Sequence, residues 1–450
     1  MNPALLIKLR PTGPWRIGPD SGARNQVDAI YHSDTLYAAV TSAMLRLGLL
    51  QDWLNATSGD RAPAVCFSSC FPFLAEIAFI VPPRTIWPPS SPALLSARVR
   101  WKSARFVPLG IVQGLLSGRP LDEEQWAVDG PSGCLVPAGR SGPFRPGLRF
   151  NAAVDRLTGV AERHSVACLE FRPGAGLWTV VRFADQAAHD RWVDSLKAAF
   201  RLLADSGFGG ERSLGWGRAG TPEFIEGAFP EMILAPQVEQ ALPPAHGEEV
   251  GQALSPANAE EVGQAILSPA GVEETQVLPP IPEPGVGQAV PPANVEPLTG
   301  EEAGTTEQQT GTEKESAGLG PEDRMRSGPQ ADSLPHQAAP TPPQPHWLLS
   351  LFTPASTDSI DWTRGNYTVV IRGGRVDAPT RSGDLKRHLQ MVAEGSVLFS
   401  ASAPRGSAPD VAPEGFAHPV FRAGFAVSIP LPEASGAGQT GAAPSVAKVS

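Results

Sequence analysis

Residues 231–345 divide the chain, because this segment cannot build a hydrophobic core. It contains no Phe, Trp or Tyr and is dense in Pro, Ala, Glu, Gly and Gln. Part of it repeats every 12 residues, with related units at Leu242–Ala253, Leu254–Ala265 and Leu278–Ala289. Short repeats can form solenoids, but each unit has too few large apolar side chains to bury a core. We therefore predict that residues 231–345 are a disordered linker, a spacer between two folded parts.

The acidity of the chain is concentrated in this linker. The whole sequence carries a net charge of -10, and residues 231–345 alone carry -15. Residues 1–230 carry +4 and residues 346–450 carry +1. In residues 1–230 Arg outnumbers Lys by 21 to 3, and the planar Arg guanidinium suits phosphate binding and stacking. The overall acidity therefore does not exclude a nucleic-acid partner, although a charge of +4 does not demonstrate one.

Residues 1–230 have the pattern of an α+β domain. An apolar strand is predicted at Ala4–Arg10, then a helix with Ser33 as its N-cap. A second helix is predicted at Asp185–Ser206, with Gly207 at its C-terminal end and a last strand at Ala219–Ile225. Helical spacing predicts two buried faces, comprising Leu36, Val40, Ala43, Met44 and Leu47 in the first helix and Trp192, Val193, Leu196, Phe200 and Leu203 in the second.

Short strands are predicted between the two helices, at Val65–Phe73, Glu76–Val81 and Ala167–Phe171. The resulting order of strand, helix, strands, helix and strand is the ferredoxin-like βαββαβ plan with long insertions. We therefore interpret residues 1–230 as one ferredoxin-like domain.

Residues 346–432 form the second predicted folded part. Strands are expected at Trp347–Phe352, Tyr367–Ile371, Gly395–Ala401 and Phe421–Ile429, with a short helix near Asp384–Val392. We interpret this part as a degenerate copy of the same plan, followed by a flexible tail at residues 433–450. The predicted fold class is thus α+β, with two ferredoxin-like (RRM-like) domains joined by a long linker.

The cysteines and the apolar runs limit the class of protein. Four cysteines in 450 residues are too few for a disulfide scaffold. Cys66 and Cys70 could offer two thiolates to a metal, but no second Cys/His pair follows at ligand spacing, so two buried thiols are favoured. No metal or cofactor is expected. The sequence has neither a signal peptide pattern nor an apolar run of about 20 residues, so a cytoplasmic protein is expected.

The Gly-rich segment Gly207–Gly220 is the strongest candidate for a binding site. It holds six glycines in 14 residues, and glycine lets backbone amides approach a phosphate closely. Arg212 and Arg218 supply charge, Ser213 a donor and Trp216 a stacking surface. The alternative is a turn in which the glycines only let a helix and a sheet pack.

Two nucleotide-binding motifs are excluded at this segment. Gly215–Gly220 matches G-x-G-x-x-G, but a dinucleotide fingerprint follows a strand and opens a helix. Here the order is the reverse. No Gly-Lys-Ser/Thr closes the segment, so it is not a Walker A loop.

Two further features have both a functional and a structural interpretation. His32, beside Tyr31, could cleave RNA by acid–base catalysis, or it could be a loop histidine that hydrogen-bonds near the helix start. The turn at Val154–Gly159, with Arg156 and the nearby Arg149, could be a protruding basic loop that touches phosphate. Its alternative is a solvated loop with an Asp–Arg pair.

In their order along the chain, these motifs resemble the RAMP superfamily of CRISPR-associated proteins. More narrowly, they are similar to the guide-RNA 5′-handle-binding subunit of the type III-A Csm effector complex. The resemblance rests on His32–Leu36, Phe67–Phe73, Val154–Gly159, Gly207–Gly220, Met391–Val397 and Gly415–Arg422. It covers both folded parts but not residues 231–345.

The resemblance implies a non-catalytic RNA-binding subunit in antiviral defence. It implies contact with the guide-RNA handle, with the large palm-domain subunit and with the backbone RAMP subunit. The implied RNA-binding residues are His32, Ser33, Arg149, Arg156, Thr158, Gly209, Gly210, Arg212, Ser213, Gly215, Trp216, Gly217, Arg218, Lys386 and Arg387. Two alternatives stay open: a metal-independent endoribonuclease that uses His32 to process guide RNA, and a scaffold without RNA contact.

Overall fold

The fold is seen in a computed structural model that describes residues 2–18, 23–58, 62–89, 101–122, 124–234, 342–376 and 383–432. Most of the predicted linker, residues 235–341, and the predicted tail, residues 433–450, lie outside the described residues. The described residues on both sides of the linker belong to one compact unit.

The N-terminal part is built around strand β1. Its elements in chain order are β1 (Asn2–Leu9), α1 (Ser33–Arg46), α2 (Leu50–Thr57), β2 (Val65–Phe67), β3 (Phe71–Leu74), β4 (Ile77–Ile80), β5 (Val107–Pro108), α3 (Leu109–Leu116), β6 (Trp126–Asp129), β7 (Cys134–Pro137), β8 (Phe144–Val154), β9 (Ala161–Phe171), β10 (Ala175–Phe183), α4 (Gln186–Ser206), β11 (Glu223–Phe229) and α5 (Glu231–Leu234). A single 3-10 turn, Arg212–Leu214, precedes β11.

The main sheet has the order β11-β1-β10-β3-β4-β5, and β2 also pairs with β10. Every pairing in it is antiparallel. Leu5, Ile7 and Leu9 of β1 are buried, as the period of two along a strand predicts. Both long helices bury their predicted apolar residues against this core, apart from Leu47, which is 39% exposed just after α1.

Two boundaries differ from the predictions for this part. The N-cap of α1 is His32, and Ser33 is the first helical residue. Ser33 does not cap because its Oγ accepts a hydrogen bond from the Leu351 N–H at 3.0 Å. The last strand begins at Glu223, because Ala219 and Gly220 instead donate to carbonyls outside the strand.

The sequence prediction missed a long hairpin. Strands β8 and β9 are each 11 residues long and pair with each other from Phe144–Phe171 to Val154–Ala161. Only the last residues of β9 were expected as a strand, because side chains near the hairpin tip are exposed on both faces and show no apolar alternation.

The C-terminal part is formed of strands. They are β12 (Gln344–Leu348), β13 (Ile360–Asn366), β14 (Val369–Arg372), β15 (Leu389–Val392), β16 (Val397–Ser400), β17 (Gly406–Ser407), β18 (Gly424–Phe425) and β19 (Ser428–Pro430). An antiparallel sheet has the order β13-β16-β12-β19, and β14 pairs with β15. The helix predicted near Asp384–Val392 is wrong. Residues 389–392 pair with β14 as a strand, and Met391 is buried while Gln390 is exposed.

The predicted combination of helices and strands in one α+β fold is confirmed, and the sheets are antiparallel. One hydrophobic core contains side chains from both parts, including Tyr37, Phe67, Trp347, Leu349 and Phe425. The Tyr37 and Phe425 rings meet edge to face, with centroids 6.4 Å apart. The continuity of this core makes the described residues of the two parts one packed body.

The predicted burial of Cys66 and Cys70 is confirmed, and both thiols are free. Among the described residues there is no cluster of His, Cys, Asp and Glu that could hold a metal ion. Within the same residues, no helix is long and apolar enough to span a lipid bilayer.

The shared core predicts that the two parts unfold together. Phe425→Ala should lower the free energy of unfolding by about 3–5 kcal/mol, because it leaves a cavity between them. Chemical denaturation followed by Trp fluorescence and by far-UV circular dichroism should give one coincident transition at a lower midpoint. The matched control Phe150→Ala, at a side chain that is 58% exposed, should change stability by less than about 0.5 kcal/mol. Two separate transitions in the wild-type chain would contradict the shared core.

Candidate functional site

The Gly-rich segment follows α4 and packs closely on the loop after β1. The Gly210 N–H donates to the Arg16 carbonyl at 2.9 Å, and the Gly217 N–H donates to the Pro14 carbonyl at 2.9 Å. A Cβ at Gly209 would overlap the Arg16 carbonyl, and a Cβ at Gly217 would overlap the Phe208 backbone. Both positions also have positive φ angles, so only glycine fits there without strain.

These contacts favour the packing interpretation for the glycines themselves. The Gly215 N–H also has a protein partner, the Arg212 carbonyl at 2.9 Å. The amides of Gly210, Gly215 and Gly217 therefore hold the loop in shape, in contrast to the predicted role of these amides as phosphate donors.

The side chains of the loop divide into an outer and an inner set. Arg212, Ser213 and Arg218 are exposed. Trp216 is only 8% exposed and packs with Val166 and Cys168 of β9. The predicted stacking surface of Trp216 is thus covered by the hairpin, and the exposed residues of the loop are its two arginines, Ser213 and Leu214.

The β8–β9 hairpin places the predicted turn at its tip. The Asp155 carboxylate accepts hydrogen bonds from the Leu157 N–H at 2.9 Å and the Thr158 Oγ1 at 2.7 Å. Asp155 therefore orders the turn, which leaves Arg156 pointing outward as an exposed residue. Leu157 is 97% exposed at the apex.

The base of the hairpin joins the Gly-rich loop through the segment after β1. Trp15 exchanges two backbone hydrogen bonds with Leu169 of β9, at 3.0 and 2.7 Å. Arg149 of β8 forms an ion pair with Glu170 at 2.7 Å. The structure thus brings the loop and the hairpin base together, while Arg156 and Thr158 lie at the far end of the hairpin.

Lys386 and Arg387 lie in the segment between β14 and β15. The Arg387 guanidinium donates to the Asp410 carbonyl at 2.7 Å. The Lys386 N–H donates to the Gly374 carbonyl at 2.9 Å. Both residues therefore belong to the C-terminal part, outside the loop and hairpin.

His32, Ser33 and Asp34 do not face solvent but lie between the two parts. Arg372 donates to both Asp34 carboxylate oxygens, from Nε at 3.1 Å and from Nη2 at 3.0 Å. Arg422 forms a second ion pair with Asp34. All three side chains are buried. Burial raises the pKa of Asp34, but the two guanidinium groups outweigh this effect and hold its pKa well below the usual range.

His32 joins a second set of buried partners. Its Nδ1 lies 2.7 Å from Glu394 Oε1, and its Nε2 lies 3.2 Å from Asp28 Oδ2. The Ser69 hydroxyl also donates to Glu394 and accepts from the Ser33 N–H at 2.9 Å. Burial lowers the pKa of His32, but the two carboxylates outweigh this effect and raise it to about 9.

Sequence reasoning missed Asp28, Arg372, Glu394 and Arg422 as partners of this cluster. The short motifs contained a signal for these contacts, because Ser69 lies in Phe67–Phe73, Glu394 in Met391–Val397 and Arg422 in Gly415–Arg422. Their sequence separations of 36 to 388 residues from His32–Asp34 conceal the contacts. We call Asp28, His32, Asp34, Arg372, Glu394 and Arg422 the inter-part ionic cluster.

Comparison with known proteins identifies the C-terminal part. Residues 342–431 match the family model described as the CRISPR Csm4 C-terminal domain. The chain carries a Csm4 C-terminal domain. This match confirms the resemblance to Csm proteins for the C-terminal part. The matched residues contain β12 to β19 together with Arg372, Glu394 and Arg422.

Solved structures containing Csm4 are also similar to this chain. A Csm1–Csm4 cassette in complex with cA4 gives 14% identity and a TM-score of 0.45, covering 96% of this chain and 100% of that one. A Csm3–Csm4 subcomplex of the type III-A CRISPR-Cas interference complex gives 11% identity and a TM-score of 0.49, covering 95% of this chain and 99% of that one. No curated protein matches the chain.

The ionic cluster predicts a large effect of removing its central anion. Asp34→Ala leaves Arg372 and Arg422 buried without their partner, which should cost about 3–5 kcal/mol of stability. Urea denaturation measures this loss. The control Asp52→Ala removes an exposed pair with Arg191 and should cost less than about 1 kcal/mol. Equal losses in the two variants would show that the buried pairs add nothing.

The raised pKa of His32 predicts that the protein loses stability at alkaline pH. The pKa of His32 is higher in the folded protein than the ordinary value of 6.5, so its contribution is fully present below pH 6.5. This contribution is lost as pH rises through about 9. Thermal unfolding between pH 6 and 10 should show a falling midpoint for the wild type. The His32→Gln variant should be less stable at pH 6 and have a flatter profile, and parallel profiles would exclude this role of His32.

Proposed function

We propose that this chain is a non-catalytic subunit of a type III CRISPR effector ribonucleoprotein. In this proposal it binds the 5′ handle of the guide RNA and joins the large subunit to the backbone filament, in antiviral defence. The observation that carries the proposal is the match to the Csm4 C-terminal domain. The inter-part ionic cluster joins this domain to the N-terminal part, which has exposed arginines next to a long hairpin.

The proposed RNA-binding surface consists of exposed side chains on the loop and the hairpin. Arg212, Ser213 and Arg218 on the loop supply charge and a donor for phosphate oxygens. Arg149, Arg156 and Thr158 on the hairpin extend this surface, and Lys386 and Arg387 add to it from the C-terminal part. The glycines and Trp216 determine the conformation of the loop. His32 and Ser33 are buried, and they contribute by holding the start of α1 in place.

The strand order supports the interpretation of the N-terminal part as ferredoxin-like. Strands β11, β1, β10 and β2/β3 lie side by side in this order, and β4 and β5 extend the sheet beyond β3. This is the arrangement of a βαββαβ sheet. We propose that the C-terminal part is a second, more degenerate ferredoxin-like domain, in which strands replace the helix expected near residue 384.

The environment of His32 disfavours the endoribonuclease alternative. Its side chain is 8% exposed, and both ring nitrogens have carboxylate partners. Burial raises the pKa of the neighbouring Tyr31 far above its ordinary value, so this phenol is a poor acid at neutral pH. A general acid or base must reach the reacting atoms, and neither side chain is exposed to do so.

The proposed partners follow from the domain assignment. In the proposal, the large palm-domain subunit and the backbone RAMP subunit contact this chain, and the guide RNA lies over the loop and the hairpin. Crosslinking separates this arrangement from a pure scaffold. Guide RNA with photoreactive handle nucleotides should crosslink to peptides spanning residues 207–220, and a scaffold without RNA contact gives no such peptide.

The two loop arginines give the direct test. Arg212→Ala with Arg218→Ala should weaken handle binding in a fluorescence anisotropy titration. The double variant should also reduce the slope of log affinity against log salt by about 1.4, because each lost phosphate contact on single-stranded RNA contributes about 0.7. The control Arg46→Ala with Arg140→Ala removes two exposed arginines that belong to neither the loop nor the β8–β9 hairpin, and it should leave affinity and slope unchanged. Unchanged affinity and slope in the loop variant would refute the assignment of the loop.

A further inference from the structure

An open cavity of about 710 Å³ lies between the hairpin base and the segment before α1. Its lining combines amide, charged and apolar side chains: Asn25, Gln26, Val27, Asp28, Arg105, Pro146, Gly147, Leu148 and Ala167. Apart from Asp28, which the ionic cluster holds in place, none of these residues has a part in the function proposed above.

One wall of the cavity is fixed by the buried side chain of Arg16. Its guanidinium donates to the carbonyls of Ala23 at 3.0 Å, Arg24 at 2.9 Å and Gln26 at 3.4 Å. It also donates to the Ala167 carbonyl of β9 at 3.0 Å. The segment that carries Asn25 and Gln26 is therefore tied to the hairpin by charge-assisted hydrogen bonds, which makes the wall preformed.

The same residue connects the cavity to the Gly-rich loop. The Arg16 carbonyl accepts the Gly210 N–H, and its side chain packs against Gly210. The side chain of Arg16 therefore holds the wall of the cavity, and its backbone carbonyl holds the loop that carries Arg212 and Arg218. The loop on which the RNA backbone is proposed to lie and the wall of the cavity are thus adjacent elements of the structure.

The polar groups of the cavity fit a nucleobase better than a phosphate. Asn25 and Gln26 are exposed, and among the described residues neither side-chain amide has a hydrogen-bond partner. A carboxamide offers a donor and an acceptor side by side, which matches the edges of the bases. The guanidinium of the lining, that of Arg105, already has the Asp28 carboxylate as its partner, which leaves less positive charge for an anionic phosphate.

The remaining lining suits the faces of a base. Arg105 is oriented by its ion pair with Asp28 at 2.9 Å while its side chain stays 43% exposed. A guanidinium plane held in this way can stack on a base, and Leu148 and Val27 supply apolar contact.

We propose that this cavity receives one base of the bound RNA, turned out of the strand and read at its edge by Asn25 and Gln26. The proposal rests on the proposed function, since it assigns to the handle-binding surface a site that selects one nucleotide. The loop arginines bind the backbone whatever the sequence, whereas the cavity makes binding depend on a base at one position.

The test uses the full chain and guide RNAs in which each handle nucleotide in turn is abasic. Affinities come from fluorescence anisotropy at one fixed salt concentration. At one position, loss of the base should weaken binding to the wild-type chain about tenfold, since a stacked base contributes about 1–3 kcal/mol.

Two variants of the cavity test whether the base at that handle position binds in the cavity. Asn25→Ala with Gln26→Ala, and separately Leu148→Ser, should weaken binding of the intact handle and remove the dependence on that base. All three side chains are exposed, so the variants should keep the wild-type unfolding midpoint. The matched control Gln51→Ala with Asn55→Ala removes two amides that bind each other on α2, and it should behave like the wild type.

The outcomes separate the two proposals. Dependence on one base that persists unchanged in both cavity variants overturns the cavity assignment and leaves handle binding intact. The same holds if all abasic handles bind equally. A wild-type chain that does not bind the intact handle overturns the proposed function and the cavity together.

Discussion

The buried ion pairs of Asp34 with Arg372 and Arg422 are the constraint on which the rest of the structure depends. Charges taken out of water cost several kcal/mol each, and only close, hydrogen-bonded partners offset that cost. Asp34 stands on the first turn of α1, and both arginines come from the C-terminal part. The chain therefore satisfies these charges only when the two parts are docked, and the hydrophobic contacts around Tyr37 and Phe425 form in the same step.

The docking has a direct consequence for the proposed RNA surface. His32 and Ser33 lie beside Asp34, and they bind Glu394 and the backbone of Leu351. They fix the start of α1, and His32 also binds Asp28, which follows the residues Ala23–Gln26 that the Arg16 guanidinium holds. Arg16 in turn holds the Gly-rich loop and the hairpin base. A hydrogen-bonded backbone thus lies behind exposed side chains, and a backbone held in this way loses little further conformational entropy when those side chains contact RNA.

The glycines of the loop have a different physical role from the one that their density suggested. That density indicated a cradle whose amides bind phosphate, with a packing turn as the alternative. Their amides instead bind protein carbonyls, and the missing Cβ atoms at Gly209 and Gly217 allow two backbones to pack together. In the proposed function, affinity comes from Arg212 and Arg218, and sequence selectivity comes from the cavity on the other side of Arg16.

The sequence by itself determined the elements whose pattern is local. Helical spacing located α1 and α4, apolar runs located most strands of the main sheet, and composition located the acidic segment. The helix expected near residue 384 failed, since four residues of β15 carry too little pattern to outweigh pairing with β14. The β8–β9 hairpin was missed, since its residues near the tip are exposed on both faces and only its base is buried. Only the tertiary structure decided that His32 and Ser33 are internal and that Trp216 is covered. It also decided that Glu394 is the partner of His32 and that Arg372 and Arg422 are the partners of Asp34. The partners of His32, Ser33 and Asp34 in the C-terminal part lie more than 300 positions away, and Trp216 is covered by β9, a separate element. No local pattern encodes the neighbours that a buried charge will find.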